Sequence, residues 1–166
     1  MLATNAMSLT SFPARVLVAD EDAATGELLT SIAEQEGYDL ISVSDGRDAY
    51  RILKADVNFQ AAVFNMTMPH LDGIDIVRFM KTEKRMMRIP VVLVAGEPGL
   101  KDIVNSFAAG AVAFLPKPFT TEQLQRTLRI ALSSRGQQTI VSSGRTDSSS
   151  RRGILVGQTR HPLLAI

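Results

Sequence analysis

The segment AVFNMTMPHLDG, residues 62–73, begins as an apolar run and continues as a polar loop. Ala62, Val63 and Phe64 are apolar without alternation, a pattern typical of a strand that is covered on both faces in a parallel sheet. Asn65 then lies where that strand ends. Because parallel α/β sheets collect functional groups just beyond the carboxyl ends of their strands, the loop that starts at Asn65 is a candidate site.

Five short apolar runs have the composition of buried strands, at residues 15–19, 40–43, 61–64, 91–95 and 112–115. Segments with helical periodicity lie between and after them, the first marked by Leu28, Ile32 and Ala33. Thr120 followed by Gln123 is a capping-box pattern, which predicts the start of the last helix. Strict alternation of strands and helices predicts an α/β fold with a doubly wound parallel sheet, covered by helices on both faces.

Composition limits the class of protein. The chain has 166 residues, of which 45% are hydrophobic, and this suits one packed domain with an appended segment. It has no cysteine, which excludes a disulfide framework or a thiolate metal site and fits a reducing compartment. The first residues lack a signal-peptide pattern, and no apolar run approaches the ~20 residues that span a bilayer. The sequence therefore predicts a soluble, cytoplasmic protein.

Charge is distributed unevenly along the chain. The formal net charge is +1, but residues 1–133 carry 13 basic and 16 acidic side chains, whereas the remainder carries five arginines and one aspartate. We predict an N-terminal extension at residues 1–13 and a domain at residues 14–134. Residues 135–166 are predicted to form a flexible, Ser- and Arg-rich basic tail with a short apolar C-terminal segment, ILVGQTRHPLLAI.

Chemically distinctive residues follow four of the five predicted strands. In chain order they are Asp20, Glu21 and Asp22, then Asn65, then Ala95, then Lys117. The carboxyl ends of parallel strands share one edge of the sheet, so these residues are expected to converge. Carboxylates and a lysine in one crevice suit a divalent cation and a phosphoryl group, because oxygen ligands hold Mg²⁺ and an ammonium neutralises a phosphate oxygen.

The chain resembles the response-regulator receiver domains of two-component signalling over about residues 14–134. The resemblance rests on five motifs in order: VLVADED (16–22), SDGRDAY (44–50), NMTMPHLDG (65–73), IPVVLVAG (89–96) and AFLPKPF (113–119). It implies a flavodoxin-like (βα)5 fold with strand order 2-1-3-4-5. It also places Asp20 and Glu21 at metal-ligand positions, with Asp22 in the same acidic pocket, and matches Lys117 and Pro118 to a lysine followed by an often cis proline.

Two positions depart from the pattern of the family. The phosphoacceptor aspartate of the family falls on Asn65, and its switch threonine or serine falls on Ala95, with Phe114 at the position of the aromatic residue that follows the switch. An amide is a poor nucleophile beside a carboxylate, and a methyl group cannot hydrogen-bond a phosphoryl oxygen. The resemblance therefore implies a receiver that has lost both the acceptor and its reader, a pseudo-receiver.

Metal binding is expected to be weak or absent. The resemblance leaves Asp20, Glu21 and the backbone of Thr67 as ligands, with one carboxylate fewer than an ordinary receiver. One unit charge lost at ~4 Å from Mg²⁺ forfeits several kcal/mol at an effective dielectric of ~20. We predict no cofactor beyond weakly held Mg²⁺, and expect Lys117 to pair with Asp20 or Glu21 instead.

Three functions compete on sequence grounds. The leading hypothesis is a non-enzymatic, phosphorylation-independent protein-interaction module in bacterial signal transduction. The alternative keeps phosphotransfer, with Thr67 or another residue near Asn65 as the acceptor. An enzyme on a similar scaffold, such as an aspartyl-phosphate hydrolase or a mononucleotide binder, is disfavoured because the sequence has neither a Gly-rich phosphate loop nor a nucleophile placed beside a base.

Predicted partners are proteins: a histidine kinase, another regulator, or a second copy of the chain. The resemblance implies a binding face formed by the fourth helix, fifth strand and fifth helix, including Lys101, Asp102, Asn105, Gln123 and Arg126. No membrane contact is expected. Nucleic acid is disfavoured because Arg151 and Arg152 stand without aromatic residues or a recognition fold. His70 is interpreted as a solvated loop residue.

Overall fold

Five strands and five helices alternate along the chain in a computed structural model that describes residues 12–143, with side chains described to residue 134. The elements are β1 (Arg15–Ala19), α1 (Ala23–Glu36), β2 (Asp39–Val43), α2 (Gly46–Ala55), β3 (Ala61–Asn65), α3 (Gly73–Thr82), β4 (Val91–Gly96), α4 (Leu100–Ala109), β5 (Ala113–Lys117) and α5 (Thr121–Ser143). All five predicted strands are found, with ends that move by no more than two residues.

The sheet is parallel throughout, in the order β2-β1-β3-β4-β5. In the centre, Ala19 of β1 pairs with Phe64 of β3, so the two strands end at the same level. The predicted α/β class, the five-stranded doubly wound sheet and the strand order are therefore confirmed.

Each strand supplies two apolar layers because its successive side chains point to opposite faces. Leu17 and Phe64 pack in the cluster that contains Leu53 of α2 and Ile76 of α3. The neighbouring strand residues Val16 and Val63 pack in a second cluster, together with Leu29 of α1 and Leu128 of α5. Both layers consist of fully buried side chains, which explains why the strands of the sequence lack polar alternation.

Helices α1, α2 and α5 begin at the carboxyl edge of the sheet with side-chain caps. Asp22 accepts a hydrogen bond from the backbone N–H of Ala24 at 3.0 Å and caps α1. The predicted capping box of α5 is present, since Thr120 N–H donates to Gln123 Oε1 at 2.9 Å and Gln123 N–H donates to Thr120 Oγ1 at 3.2 Å. These caps satisfy backbone donors that would otherwise lack partners at the helix starts.

Helix α5 continues to Ser143, nine residues beyond the predicted domain end at 134. Residues 1–11 and 144–166 lie outside the described part of the chain. The N-terminal extension, the flexible tail and its apolar segment therefore remain predictions. Within residues 12–143, no helix combines the length and apolar character that a membrane crossing requires.

Two glycines allow the loop after β3 to pack tightly. A Cβ atom at Gly73, the first residue of α3, would overlap the carbonyl oxygen of Asn65. A Cβ atom at Gly46, the first residue of α2, would overlap the carbonyl oxygen of Leu71. The overlapping atoms belong to the backbone, so a longer side chain could not be accommodated by a rotamer change. The loop that starts at Asn65 is thus fixed between the starts of α2 and α3.

Replacing Gly73 tests this close approach. Gly73→Ala should lower the free energy of unfolding by about 2–3 kcal/mol, because the added methyl forces the backbone of β3 and α3 apart. Gly96→Ala is the matched control, since a Cβ there meets no atom within 4 Å, and it should change stability by less than about 0.5 kcal/mol. Urea unfolding followed by circular dichroism measures both, and equal effects would contradict the packing argument.

Candidate functional site

The predicted site residues lie at the carboxyl edge of the sheet. Asp20 follows β1 and Asn65 ends β3, while Ala95 lies next to the last residue of β4. Lys117 ends β5 and pairs with Gly96 of β4. Four adjacent strands therefore end beside one another, and the topology brings together residues that are almost a hundred positions apart in sequence.

Asp20 and Lys117 form an ion pair at the centre of this edge. Lys117 Nζ lies 2.7 Å from Asp20 Oδ2, and the two side chains are only 18% and 1% exposed. Asp20 Oδ1 accepts a hydrogen bond from the backbone N–H of Asp22 at 2.9 Å. Within the described residues, the buried Oδ2 has no regular hydrogen bond beyond this ion pair. The ammonium group of Lys117 is thus the charge that compensates a carboxylate with almost no access to water.

Asp22 supports the same ammonium group from the rim of the crevice. Its Oδ2 lies 3.6 Å from Lys117 Nζ and receives a hydrogen bond from Thr25 Oγ1 at 3.3 Å. The backbone N–H of Ala24 lowers the pKa of Asp22 most, and the charge of Lys117 lowers it further. Asp22 is therefore ionised at neutral pH, and Lys117 lies between two carboxylates.

Glu21 does not join this pair. Its side chain is exposed and makes no ion pair or hydrogen bond within the described part of the chain. It lines an open crevice with Asp20, Asp22 and Ser44. Of the two partners that the sequence offered for Lys117, the structure selects Asp20, whose side chain is buried, whereas Glu21 faces solvent.

Asn65 is half-buried at the end of β3, and its amide makes no hydrogen bond within the described residues. The loop after it is held by Asp72, whose Oδ1 accepts a hydrogen bond from Met68 N–H at 3.1 Å. Thr67 lies in this loop with an exposed side chain. The position nearest the ion pair on β3 is thus occupied by a neutral group, and the first hydroxyl after it faces solvent.

The two switch positions are apolar. Ala95 is buried, with 8% exposure, and presents only a methyl group at the end of β4. Phe114 of β5 is partly buried and packs against the cluster that contains Leu93 and Met68. The peptide between Lys117 and Pro118 is cis, as the resemblance implied. The β4 end therefore offers no hydroxyl toward the crevice.

The residues present do not fit a magnesium ion well. Within the described residues, no group of three or more His, Asp or Glu side chains is arranged to hold a metal. One carboxylate, Asp20, is engaged by Lys117, and the third ligand position of an ordinary receiver is the neutral Asn65. Hard divalent cations need several oxygen ligands with negative charge, so no chemical step is assigned here to a metal.

One polar contact beside the site was missed by sequence reasoning. His70 Nδ1 lies 2.5 Å from Asp45 Oδ2, which joins the loop after β3 to the start of α2. Asp45 has a lowered pKa, chiefly because it accepts a hydrogen bond from Arg47 N–H and secondarily because of His70. His70 is more than half exposed, as expected of a loop residue, but it has a partner. The two residues are 25 positions apart, and only the packing of Gly46 against the loop brings them together.

Removing Lys117 tests how much the buried carboxylate depends on it. Lys117→Ala should lower the free energy of unfolding at pH 7 by roughly 3 kcal/mol, because Asp20 is left buried without a counter-charge. Lys101→Ala is the control, since Lys101 is exposed and pairs with no described residue. Asp20→Ala combined with Lys117→Ala should cost less than the two single changes added together. Additive losses in urea unfolding would show that the two groups do not interact.

A family model and several related proteins match most of this domain. Residues 16–129 match the family model of the response regulator receiver domain. Chemotaxis protein CheY1 of Helicobacter pylori is 24% identical over 119 residues, which are 71% of this chain and 96% of CheY1. Response regulator MprA of Mycolicibacterium vanbaalenii is 32% identical over 120 residues, which are 72% of this chain and 51% of MprA.

A solved structure shares the architecture. Chemotaxis response regulator CheY4 of Vibrio cholerae superposes with a TM-score of 0.67 at 24% identity, covering 72% of this chain and 99% of CheY4. At this identity the likeness establishes the fold. The family model, however, spans well over half of the sequence and includes every strand-end residue described above. The chain therefore belongs to the response regulator receiver domain family of two-component signal transduction.

Proposed function

We propose that this receiver domain is a pseudo-receiver, which acts without phosphorylation as a protein-interaction module in bacterial signal transduction. The observation that carries the proposal is Asn65 at the end of β3, beside the Asp20–Lys117 ion pair. Phosphoryl transfer to this position needs a charged carboxylate oxygen that attacks phosphorus and becomes an acyl phosphate. A neutral amide supplies neither the charge nor a suitable bond.

The end of β4 supports the same proposal. A phosphoryl group on β3 is read in this family by a hydroxyl on β4, and Ala95 has none. No other residue of β4, Val91–Gly96, carries a hydroxyl, so none replaces it. The carboxylate that would accept the phosphoryl group and the hydroxyl that would hydrogen-bond it are both absent. Both parts of the phosphorylation switch are therefore missing.

The ion pair between Asp20 and Lys117 also supports the pseudo-receiver proposal. In this structure Lys117 already contacts Asp20 and lies near Asp22, so its charge is used within the protein. The lysine that would neutralise a phosphate at this site is therefore already matched by carboxylates. Any change between conformations would come from a partner that binds one of them more tightly. We propose that the domain is non-enzymatic and works in the cytoplasm without a cofactor beyond weakly held Mg²⁺.

The proposed partner is a histidine kinase, another regulator or a second copy of the chain. Its binding face is formed by α4, β5 and α5. Lys101, Gln123 and Arg126 are exposed there, whereas Asp102 is used to cap α4 by accepting a hydrogen bond from Gly99 N–H at 2.9 Å. Gln123 also belongs to the capping box of α5 and Arg126 pairs with Glu122 at 3.3 Å, but all three side chains are exposed to a partner.

A second candidate function is phosphorylation at Thr67. The observation that favours it is the exposed hydroxyl of Thr67, two residues after Asn65 in the same loop. A phosphothreonine would be stable, unlike an acyl phosphate, and would give a persistent rather than a transient signal.

Incubation with acetyl phosphate and Mg²⁺ separates the two candidates. The natural chain should keep its intact mass, because neither Asn65 nor Ala95 supports the reaction. Asn65→Asp, or Asn65→Asp with Ala95→Thr, should gain one phosphate, since the rest of the site retains the acidic pocket and Lys117. Mass spectrometry of the intact proteins measures the outcome.

Phosphorylation of the natural chain would overturn the pseudo-receiver proposal, and Thr67→Ala would then show whether Thr67 is the acceptor. Asn65→Ala is the control for the aspartate variants: it should stay unmodified if position 65 is the acceptor site, and should be modified like the natural chain if Thr67 is.

A pull-down with the immobilised full chain tests the binding face. The combined change Lys101→Ala, Gln123→Ala and Arg126→Ala should remove the specific partner, because all three side chains are exposed on that face. Glu34→Ala, an exposed change on α1, should retain it. Equal recovery by both variants, or no specific partner for the natural chain, would contradict the interaction role.

A further inference from the structure

Helix α4 carries its apolar residues on the outside. Leu100 is 78% exposed, Val104 58% and Phe107 50%. Their spacing of four and then three positions places them on one side of the helix, where they form a continuous stripe. A helix on the surface of a globular domain normally turns such a stripe toward the core, so α4 presents an uncovered face. We refer to these three residues as the α4 stripe.

The inner side of α4 is less apolar than this stripe, with Ile103 and Ala109 only partly buried there. The one fully buried residue of the helix is Ser106, whose Oγ donates to the carbonyl oxygen of Asp102 at 2.8 Å. Asp102 itself caps the helix start at Gly99. The Ser106 hydroxyl and the Asp102 carboxylate are therefore satisfied within the helix, while the α4 stripe stays exposed to solvent. Exposed apolar patches of this kind mark interaction surfaces.

We propose that the apolar segment at residues 154–166 of the same chain, ILVGQTRHPLLAI, docks on the α4 stripe. The segment contains Ile154, Leu155 and Val156 in a row and Leu163 and Leu164 further on, in a part of the chain otherwise rich in Ser, Gly and Arg. Apolar side chains of this number gain free energy by leaving water together with an exposed apolar face.

The chain is long enough to make this contact. Helix α5 ends at Ser143, so eleven residues bring the chain to Ile154, a span of up to about 36–40 Å. Helices α4 and α5 both contact β5, one on each face of the sheet. Passing around that edge takes about 20 Å, since a packed layer adds about 10 Å on each side. Because α5 is the longer helix, Ser143 also lies roughly 20 Å further along the helix axis than Phe107, and the combined separation of about 30 Å is within the span. The segment can therefore reach α4 within one molecule.

Charge favours the same contact. The 23 residues after Ser143 carry four arginines and one aspartate, whereas residues 14–134 carry 13 basic and 16 acidic side chains. The basic tail is thus attracted to the acidic domain as a whole, and apolar contacts of residues 154–166 determine where on the domain it binds. Glu97, which precedes α4, is exposed and has no described ion-pair partner, so it adds negative charge at the near end of the α4 stripe.

Docking would cover the helix to which the proposed function assigns partners. A partner that binds the same helix would then compete with the tail. The docking itself requires neither a partner nor the absence of phosphorylation, so its test is independent of the proposed function.

Thiol cross-linking in the full chain tests the proposal, because the natural sequence has no cysteine. Val104→Cys with Val156→Cys places one thiol on the α4 stripe and one in the segment. Glu34→Cys with Val156→Cys is the matched control, with the first thiol exposed on α1. Under mild oxidation, the α4 pair should form an intramolecular disulfide about tenfold faster than the control, because docking raises the effective concentration above that of a tether alone. The added changes Ile154→Ser and Leu155→Ser should reduce the α4 rate to the control rate.

A tryptophan provides a second readout, since the natural chain has none. Phe107→Trp should fluoresce at shorter wavelength with the natural tail than with Ile154→Ser, Leu155→Ser and Val156→Ser, because a covered indole is shielded from water. Equal cross-linking rates in the α4 and control pairs, together with unchanged emission, would overturn the proposal. Disulfides that form only between molecules, at a rate that rises with protein concentration, would overturn it in favour of a second copy of the chain.

Discussion

Complete burial of the two central strands is the constraint on which the rest of this structure depends. Residues Val16–Ala19 and Ala61–Phe64 have no exposed surface, so a polar side chain on either strand can appear only where the strand ends. Parallel pairing then places those ends at one edge, next to the ends of β4 and β5. The polar chemistry of the domain is concentrated there because the fold leaves it no other place in the sheet.

At that edge, one buried carboxylate determines the arrangement of charge. Asp20 is almost inaccessible to water and would be unfavourable alone, so Lys117 lies against it and Asp22 completes the balance. The neutral side chains of Asn65 and Ala95 beside this ion pair leave it self-contained. The proposed function, protein binding without phosphate transfer, rests on this arrangement of charge.

Helix α4 differs from the other helices in the direction of its apolar face. Helices α1, α2, α3 and α5 bury apolar side chains against the sheet, whereas α4 buries Ser106 and exposes Leu100, Val104 and Phe107. Helix α4 still packs on α3 and β5, but its exposed apolar residues are available for the docking proposed above. The α4 stripe begins close to the ion pair, since Glu97 lines a pocket with Lys117, yet the docking requires no chemistry from that pair.

The sequence by itself determined the fold class, the positions of the strands and the short set of residues at their ends. Unbroken apolar runs can form only covered strands, and their alternation with helices leaves few topologies. The sequence motifs also include Gly46 and Gly73. Only the structure shows why glycine is needed there: a Cβ atom at either position would overlap a backbone carbonyl oxygen.

Tertiary structure alone decided which carboxylate Lys117 pairs with, that Asp45 reaches His70, and that α4 turns its apolar side outward. These outcomes depend on distances between residues far apart in the chain and on which side of a helix packs inward. Local sequence patterns do not carry that information, because periodicity fixes which residues share a face but not what that face will meet.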